Sequence, residues 1–193
     1  MDQASKLIVL ITGAAGNIGR SLARALADDY YVIGFDRLGM TADFPLIEVD
    51  FTDDASVRAA LERFREDHGR RIASVVHLVA FFDFSGEDNP LYEAVNVEGT
   101  RRLLRALRDF EVEQFVYSGT MLVHAPGKPG EPIDEHQPIE PDVPERHRCD
   151  MGEMRLRQTL HLTSARACSN KPSHLSRSLR FHTHGHLLTQ GCQ

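Results

Sequence analysis

The sequence predicts an α/β domain built on a doubly wound parallel sheet that is incomplete on its C-terminal side. Three observations carry that expectation. Short β-branched runs alternate with helical-period segments over residues 6–120. Those runs are apolar at consecutive positions, as strands covered on both faces are. The first of them passes directly into a glycine-rich turn and then an amphipathic segment. Alternation of this kind implies right-handed crossovers and a parallel sheet.

Each element follows from a local pattern. "KLIVLITG" at 6–13 is a short β-branched run ending in glycine, the first strand. Ile18, Leu22, Ala25 and Leu26 then recur at helical spacing. "YVIGFD" at 31–36 and "LIEVD" at 46–50 are the second and third strands. Thr52 or Asp53 suits the N-cap of a helix with Val57, Ala60, Leu61 and Phe64 on its apolar face, and Gly69 suits its end. "SVVHLVA" at 74–80 is the fourth strand. A long helix is expected from Leu91 to about Asp109, with Ala94, Val95, Leu103, Leu104 and Leu107 facing the sheet. "QFVYSG" at 114–119 is the fifth strand, and it delivers Ser118 and Thr120 to the sheet edge.

At 193 residues the chain is long enough for one sizeable core. Its longest apolar run, "LIVLI" at 7–11, is far short of the roughly 20 residues that cross a bilayer. With no basic start leading into a long apolar segment, a cytoplasmic protein with no membrane partner is expected. Residues 1–145 carry 14 Lys/Arg against 26 Asp/Glu, a balance of −12, whereas residues 146–193 carry 8 against 2, a balance of +6. An acidic body argues against a nucleic-acid surface, which requires a basic stripe. Cys149, Cys168 and Cys192 all fall in the basic tail, odd in number and widely spaced, so they form no disulfide framework or zinc-pair spacing.

"TGAAGNIGR" places Gly13, Gly16 and Gly19 between the first strand and the first helix. One glycine serves the tight turn, one lets backbone approach a pyrophosphate, and one allows close helix–strand packing. The helix start offers unpaired N–H groups to the anion. Gly13, Ala15, Gly16, Asn17, Ile18 and Gly19 are therefore candidate pyrophosphate contacts of a Rossmann-type dinucleotide site. Asp36 ends the second strand, 23 residues beyond Gly13. A carboxylate there accepts from both ribose hydroxyls and repels a 2′-phosphate, so NAD is expected in preference to NADP. Arg37 beside it tempers that preference, because a guanidinium pairs well with phosphate.

These residues resemble the extended short-chain dehydrogenase/reductase family, the NAD-dependent epimerases and dehydratases, over residues 6 to about 140. "GAAGNIG" resembles the family's glycine loop. "VDFTD" resembles its third-strand motif, which implies Asp50 at the adenine amino group and Phe51 beside the ring. "HLVA" resembles the segment whose backbone lines the adenosine and pyrophosphate, implicating Leu78, Val79 and Ala80. "NVEGT" resembles its helix motif, with Asn96 supporting the active-site polar network. "VYSGTMLVH" resembles its fifth-strand motif, with Thr120 at the catalytic Ser/Thr position and Ser118 two places before it. "PGEPIDEHQPIEP" resembles the loop before the catalytic tyrosine. The resemblance implies a small-molecule substrate, such as a sugar nucleotide, and homodimerisation through helices beside the fourth and fifth strands. His77 reads as a packed strand residue, and His124 is assigned no role. Phe81, Phe82 and Phe84 suit either a substrate wall or packing over the sheet edge.

The family's chemistry also requires a tyrosine and a lysine four residues apart on one helix, the lysine lowering the tyrosine's pKa for proton transfer. No tyrosine follows Tyr117, and the only later lysines are Lys128 and Lys171. From Met154 to Gln193 there is no Asp or Glu, and strand periodicity ceases. The chain thus divides into a dinucleotide-binding domain at 1–145 and an atypical His/Ser/Arg-rich tail at 146–193. His182, His184 and His186 in "HTHGH" suit adventitious metal binding more than a designed site. One reading of the tail is a disordered extension on an NAD-binding pseudoenzyme. Another is an out-of-frame segment that stops early, the reading frame shifting between about residues 141 and 150; a third is an unstable truncated product with no function. On the frameshift reading, translating all three frames of the coding DNA from codon 130 restores a Tyr and a Lys four apart, followed by renewed strand–helix alternation. Three frames lacking that pair would rule the shift out.

Overall fold

The computed structural model describes residues 6–83 and 89–119, together with Gly130. Seven strands are described: β1 (Ile8–Thr12), β2 (Tyr31–Asp36), β3 (Leu46–Glu48), β4 (Arg71–Ile72), β5 (Ser74–His77), β6 (Glu111–Val112) and β7 (Phe115–Tyr117). Five form one parallel sheet in the order β3-β2-β1-β5-β7. Thr12 is aligned with Phe35 on one side and His77 on the other, and His77 in turn with Tyr117. The chain works outward from β1 to β3, then returns to the far side of β1 for β5 and β7. In open α/β sheets such a reversal leaves a crevice beyond the strands' carboxyl ends, where ligands bind.

Burial on both faces follows from alternating side-chain direction along β1. Leu10 packs with Ile33, Phe35, Val75, Phe64 and Leu103 on one face, and Val9 and Ile11 pack with Ala14, Ala23, Val32 and Val76 on the other. Each fully buried large side chain contributes about 1.5–3 kcal/mol relative to exposure. Helix α2 (Asp54–His68) starts and stops as its sequence requires. The Asp53 carboxylate accepts from the Ala55 and Ser56 amides at 3.0 and 3.2 Å, a cap worth about 1 kcal/mol. Gly69, at φ 82°, ends the helix with its N–H on the Arg65 carbonyl. Val57, Ala60, Leu61 and Phe64 are all buried, as their spacing predicts.

The other helices depart from expectation in which face they bury. In α1 (Asn17–Leu26) the buried residues are Gly19 and Ala23, flanked by half-buried Leu22 and Leu26, whereas Ile18 is 70% exposed and Ala25 is exposed. The reason is proximity: the helix approaches so closely that only small residues fit at the contact. The segment expected as one long helix is π-helical over Tyr92–Gly99, α-helical over Thr100–Ala106 (α3) and 3₁₀ over Leu107–Asp109. The wider winding re-aims the first half, so Tyr92, Asn96 and Val97 are buried, while Ala94, Val95 and Leu104 are only half-buried. Leu103 and Leu107 face the core as expected. β4 and β6, two residues each and paired in parallel, are too short to show any periodicity. The third and fourth strands end at Glu48 and His77, before the positions their apolar runs suggest.

Among the described residues no helix is long and apolar enough to cross a membrane, and no three His, Cys, Asp or Glu side chains cluster to hold a metal. The histidines and cysteines of the tail lie outside the described residues.

One imidazole is enclosed in this core. His77 has no exposed surface and lies among the rings of Phe51, Phe115 and Tyr117, at centroid distances of 5.8, 6.1 and 5.8 Å. Burial pushes its pKa down to about 4, from an ordinary value of 6.5. The unfolded chain therefore binds a proton that the folded chain refuses between those values, and stability rises with pH across that window. Stability is expected to fall by roughly 3 kcal/mol as pH drops from about 6.5 to about 4, with no further loss from this group below that. The Asp43 and Asp50 carboxyls are held below their ordinary range by hydrogen bonds, so their own contributions are lost at lower pH. Urea denaturation across pH 4–7 checks this, and His77→Phe should flatten the pH dependence.

Candidate functional site

The crevice at the sheet's carboxyl edge begins where β1 ends. Gly13 leaves the strand at φ 68°, and a Cβ there would lie 3.1 Å from the Val79 nitrogen and 3.2 Å from the Leu78 carbonyl carbon. The positive φ favours glycine, and a Cβ this close would force the neighbouring backbone to give by a few tenths of an ångström. The Gly13 and Ala14 amides donate to the Phe35 carbonyl at 2.8 and 3.4 Å, and the Gly16 amide to the Gly13 carbonyl at 3.1 Å. Gly19 packs α1 onto the loop; a Cβ there would come within 2.5 Å of the Gly13 oxygen and 2.6 Å of Ala14.

Helix α1 opens without a side-chain cap, its N-cap being Gly16 in extended conformation. The first bond back into the turn is from the Arg20 amide to the Gly16 carbonyl, at 2.9 Å. The amides of Asn17, Ile18 and Gly19 therefore precede any intrahelical acceptor. They present donors and the positive end of the helix dipole to an anion.

Asp36, at the end of β2, closes over this loop. One carboxylate oxygen accepts the Ala15 amide at 2.7 Å and the other accepts the Arg37 amide at 2.8 Å. Each oxygen keeps acceptor capacity for another donor. Arg37 is exposed. Arg20, which sequence reasoning missed, braces the loop from the other side. Its Nε donates to the Ala15 carbonyl at 2.7 Å, and a terminal nitrogen donates to the Thr41 carbonyl. Its only sequence signal is its place immediately after the third glycine.

The ends of β3, β5 and β7 supply the remaining predicted positions. Asp50 is exposed, and its carboxylate accepts from the Thr52 amide and hydroxyl at 2.8 and 2.7 Å. Phe51, the expected neighbour of the adenine ring, turns its side chain into the core. It is 5% exposed and packed in the core against His77, while its carbonyl accepts from Arg102 at 3.2 Å. Gly99 and Arg102 of the later helical segment lie against it, while Asp50 is exposed. Leu78 and Val79 are half-buried; the Leu78 amide donates to the Thr12 carbonyl at 3.1 Å with the Thr12 hydroxyl a second acceptor at 3.2 Å, and the Val79 amide reaches the same hydroxyl at 3.4 Å. Ala80 is exposed.

Asn96 grips the next residue twice, its Oδ1 accepting the Phe81 amide at 2.6 Å and its Nδ2 donating to the Phe81 carbonyl at 3.0 Å. Phe81 packs edge-on against Tyr92, at 5.0 Å. Ser118 is exposed, with its amide on the His77 carbonyl at 3.2 Å. Thr120, Phe84 and His124 lie outside the described residues. The parallel strands thus bring the glycine loop, Asp36, Asp50, residues 78–81 and Ser118 to one edge of the sheet.

Residues 9–148 match the family model described as the NAD dependent epimerase/dehydratase family. The UDP-glucose 4-epimerase of Mycolicibacterium smegmatis is 32% identical over 151 residues, covering 70% of this chain and 45% of that protein. The human dTDP-D-glucose 4,6-dehydratase is 28% identical over 151 residues, covering 70% and 42%. The chain therefore spans less than half the length of these curated relatives. Among solved structures, a short-chain dehydrogenase/reductase superfamily protein from Agrobacterium tumefaciens with bound NAD is 31% identical, with a TM-score of 0.62 over 78% of this chain and 44% of that one. The Thermus thermophilus UDP-glucose 4-epimerase complex with NAD is 29% identical, with a TM-score of 0.64 over 82% and 51%. With the family match covering most of its length, a parallel five-stranded sheet and a glycine loop at the topological reversal, this chain belongs to the NAD-dependent epimerase/dehydratase family.

Proposed function

We infer that the chain binds NAD in the crevice at the sheet's carboxyl edge. It carries the cofactor half of an epimerase- or dehydratase-type oxidoreductase acting on a sugar nucleotide or related hydroxyl or keto compound. The observation that carries this reading is the uncapped start of α1 beneath a glycine loop tied to Asp36. The Asn17, Ile18 and Gly19 amides suit the pyrophosphate, supported by the Gly13–Gly16 turn and by Ala15 beneath it. The free acceptor capacity of Asp36 suits the ribose hydroxyls of NAD, and Arg37 stands exposed beside it. Asp50 suits the adenine amino group, with the Phe51 backbone next to it. The backbone of Leu78, Val79 and Ala80 forms the adjoining wall, Asn96 fixes it, and Ser118 borders it. When bound, NAD would accept hydride from a substrate carbinol carbon.

Thr120 is the candidate catalytic hydroxyl, orienting the reacting oxygen. It lacks the tyrosine and lysine that would exchange the proton, because no tyrosine follows Tyr117. Turnover is accordingly crippled. That same absence favours a second reading, an NAD-binding pseudoenzyme or regulatory module.

Calorimetric titration of the full chain with NAD and NADP, followed by assay for reduced nicotinamide and for epimerised product with UDP-glucose, separates these readings. NAD is expected to bind more tightly than NADP. Asp36→Ala should weaken NAD binding at least tenfold, about 1.4 kcal/mol. No product is expected above background. A chain that binds neither dinucleotide would overturn the cofactor reading, and sustained turnover would overturn the crippled site.

A further inference from the structure

We propose that His77 is a positioning residue: a neutral imidazole protonated at Nε2, it links two clamps that together fix the backbone of residues 78–81. The consequence for NAD affinity rests on the cofactor reading above; the linkage itself does not.

The direction of the linkage follows from donor counting. The Thr100 hydroxyl lies 2.7 Å from the Asn96 carbonyl, which can only accept, so its single proton is committed there. Towards the His77 Nε2, 2.9 Å away, Thr100 can then only accept, so that nitrogen carries the ring proton. A neutral ring leaves Nδ1 unprotonated. The Thr12 hydroxyl, 2.6 Å from Nδ1, must therefore donate to it. With its proton spent, the Thr12 hydroxyl oxygen offers lone pairs to the Val79 amide at 3.4 Å and, beside the Thr12 carbonyl at 3.1 Å, to the Leu78 amide at 3.2 Å.

Both ends of this chain arrive on one short segment. On the β1 side, Thr12 holds the amides of Leu78 and Val79. On the helix side, Thr100 meets the carbonyl of Asn96, whose side chain holds Phe81 by both backbone groups. A phenylalanine in place of His77 would fill similar space, but the two clamps would no longer be joined. Leu78 and Val79 are also the residues against which Gly13 passes. A displacement of their backbone by a few tenths of an ångström must therefore be felt in the glycine loop.

The test uses the full chain, uniformly labelled with nitrogen-15. Long-range proton–nitrogen spectra should show His77 with a protonated Nε2 and a bare Nδ1; a ring protonated at Nδ1 alone overturns the proposal. Thr100→Val removes the acceptor for Nε2–H, and Thr100→Ser keeps it. Amide exchange at Val79 and Phe81 should accelerate at least tenfold in the valine variant and return to the parent rate in the serine variant, with a smaller change at Leu78, whose amide also meets the Thr12 carbonyl. Val32 and Ile33, remote in β2, serve as internal controls for general destabilisation. NAD affinity should fall about fivefold to tenfold in Thr100→Val and recover in Thr100→Ser.

Equal loop exchange in the two variants, or an equal rise at Val32 and Ile33, overturns the positioning role. Should the valine variant not fold, the tautomer of the unmodified chain decides by itself. The expected tautomer and exchange pattern in a chain that does not bind NAD would support the linkage and overturn the cofactor reading alone.

Discussion

Gly13 passes so close to the backbone of Leu78 and Val79 that a Cβ there, at 3.1–3.3 Å, would push that backbone aside by a few tenths of an ångström. The rest of the site depends on this contact, because the crossovers leaving β1 and β5 meet there. β1 pairs in parallel with β2 and β5, so all three strands run out at the same edge. The turn after β1 must then lie over the segment after β5 while still delivering α1 at an angle that packs on the sheet. Gly13 supplies the turn, and Gly19 lets the helix settle on it. A bulkier residue at either point would lift the first turn of α1, and with it the open amides that face the crevice.

The apolar core and the polar edge are parts of one structure. Along β1 the chain passes from Val9, Leu10 and Ile11 to Thr12, all buried, so the polar group follows without a break in the packing. Thr12, His77, Asn96 and Thr100 are buried polar residues joined to one another or to the adjoining backbone. A buried polar group is costly unless its partners are in place. Residues 78–81 are consequently held by the same groups that complete the core, and opening them would disturb the sheet's centre. Cooperative units of this kind resist local unfolding more than peripheral loops do.

Much of this was legible in the sequence where the signal is local. β2 coincides with its apolar run, and Asp53 and Gly69 bound α2 as their residue types suggest. The glycine loop and Asp36 fall together at the sheet edge as their spacing implies. What could not be read depends on distant contacts. Ile18 fits an apolar period, but the nearness of α1 to Gly13 and Ala14 turns the small residues inward instead. The π-helical winding of Tyr92–Gly99 changes which residues face the core without changing their composition. Phe51 resembles a ligand-facing position, yet its ring packs on His77, 26 residues away in the chain. His77 itself reads as a packed strand residue. Its partners Thr12 and Thr100 lie 65 and 23 residues away, so no window around it reveals them.

The carboxylate of Asp36 has two duties, and they constrain how this scaffold can change. On the proposed cofactor reading its charge discriminates between dinucleotides, and it is also the acceptor that holds the Ala15 amide in the glycine loop. Exchanging it for a small neutral residue, the simplest route to accommodating a 2′-phosphate, would orphan that amide in the same step. A lineage or an engineer seeking the phosphorylated cofactor would need either a neutral residue that keeps an acceptor for Ala15 or a second change that restores one. On the proposed reading, cofactor preference and loop geometry share one side chain, so a substitution that removes its charge preserves the loop only if it leaves an acceptor for the Ala15 amide.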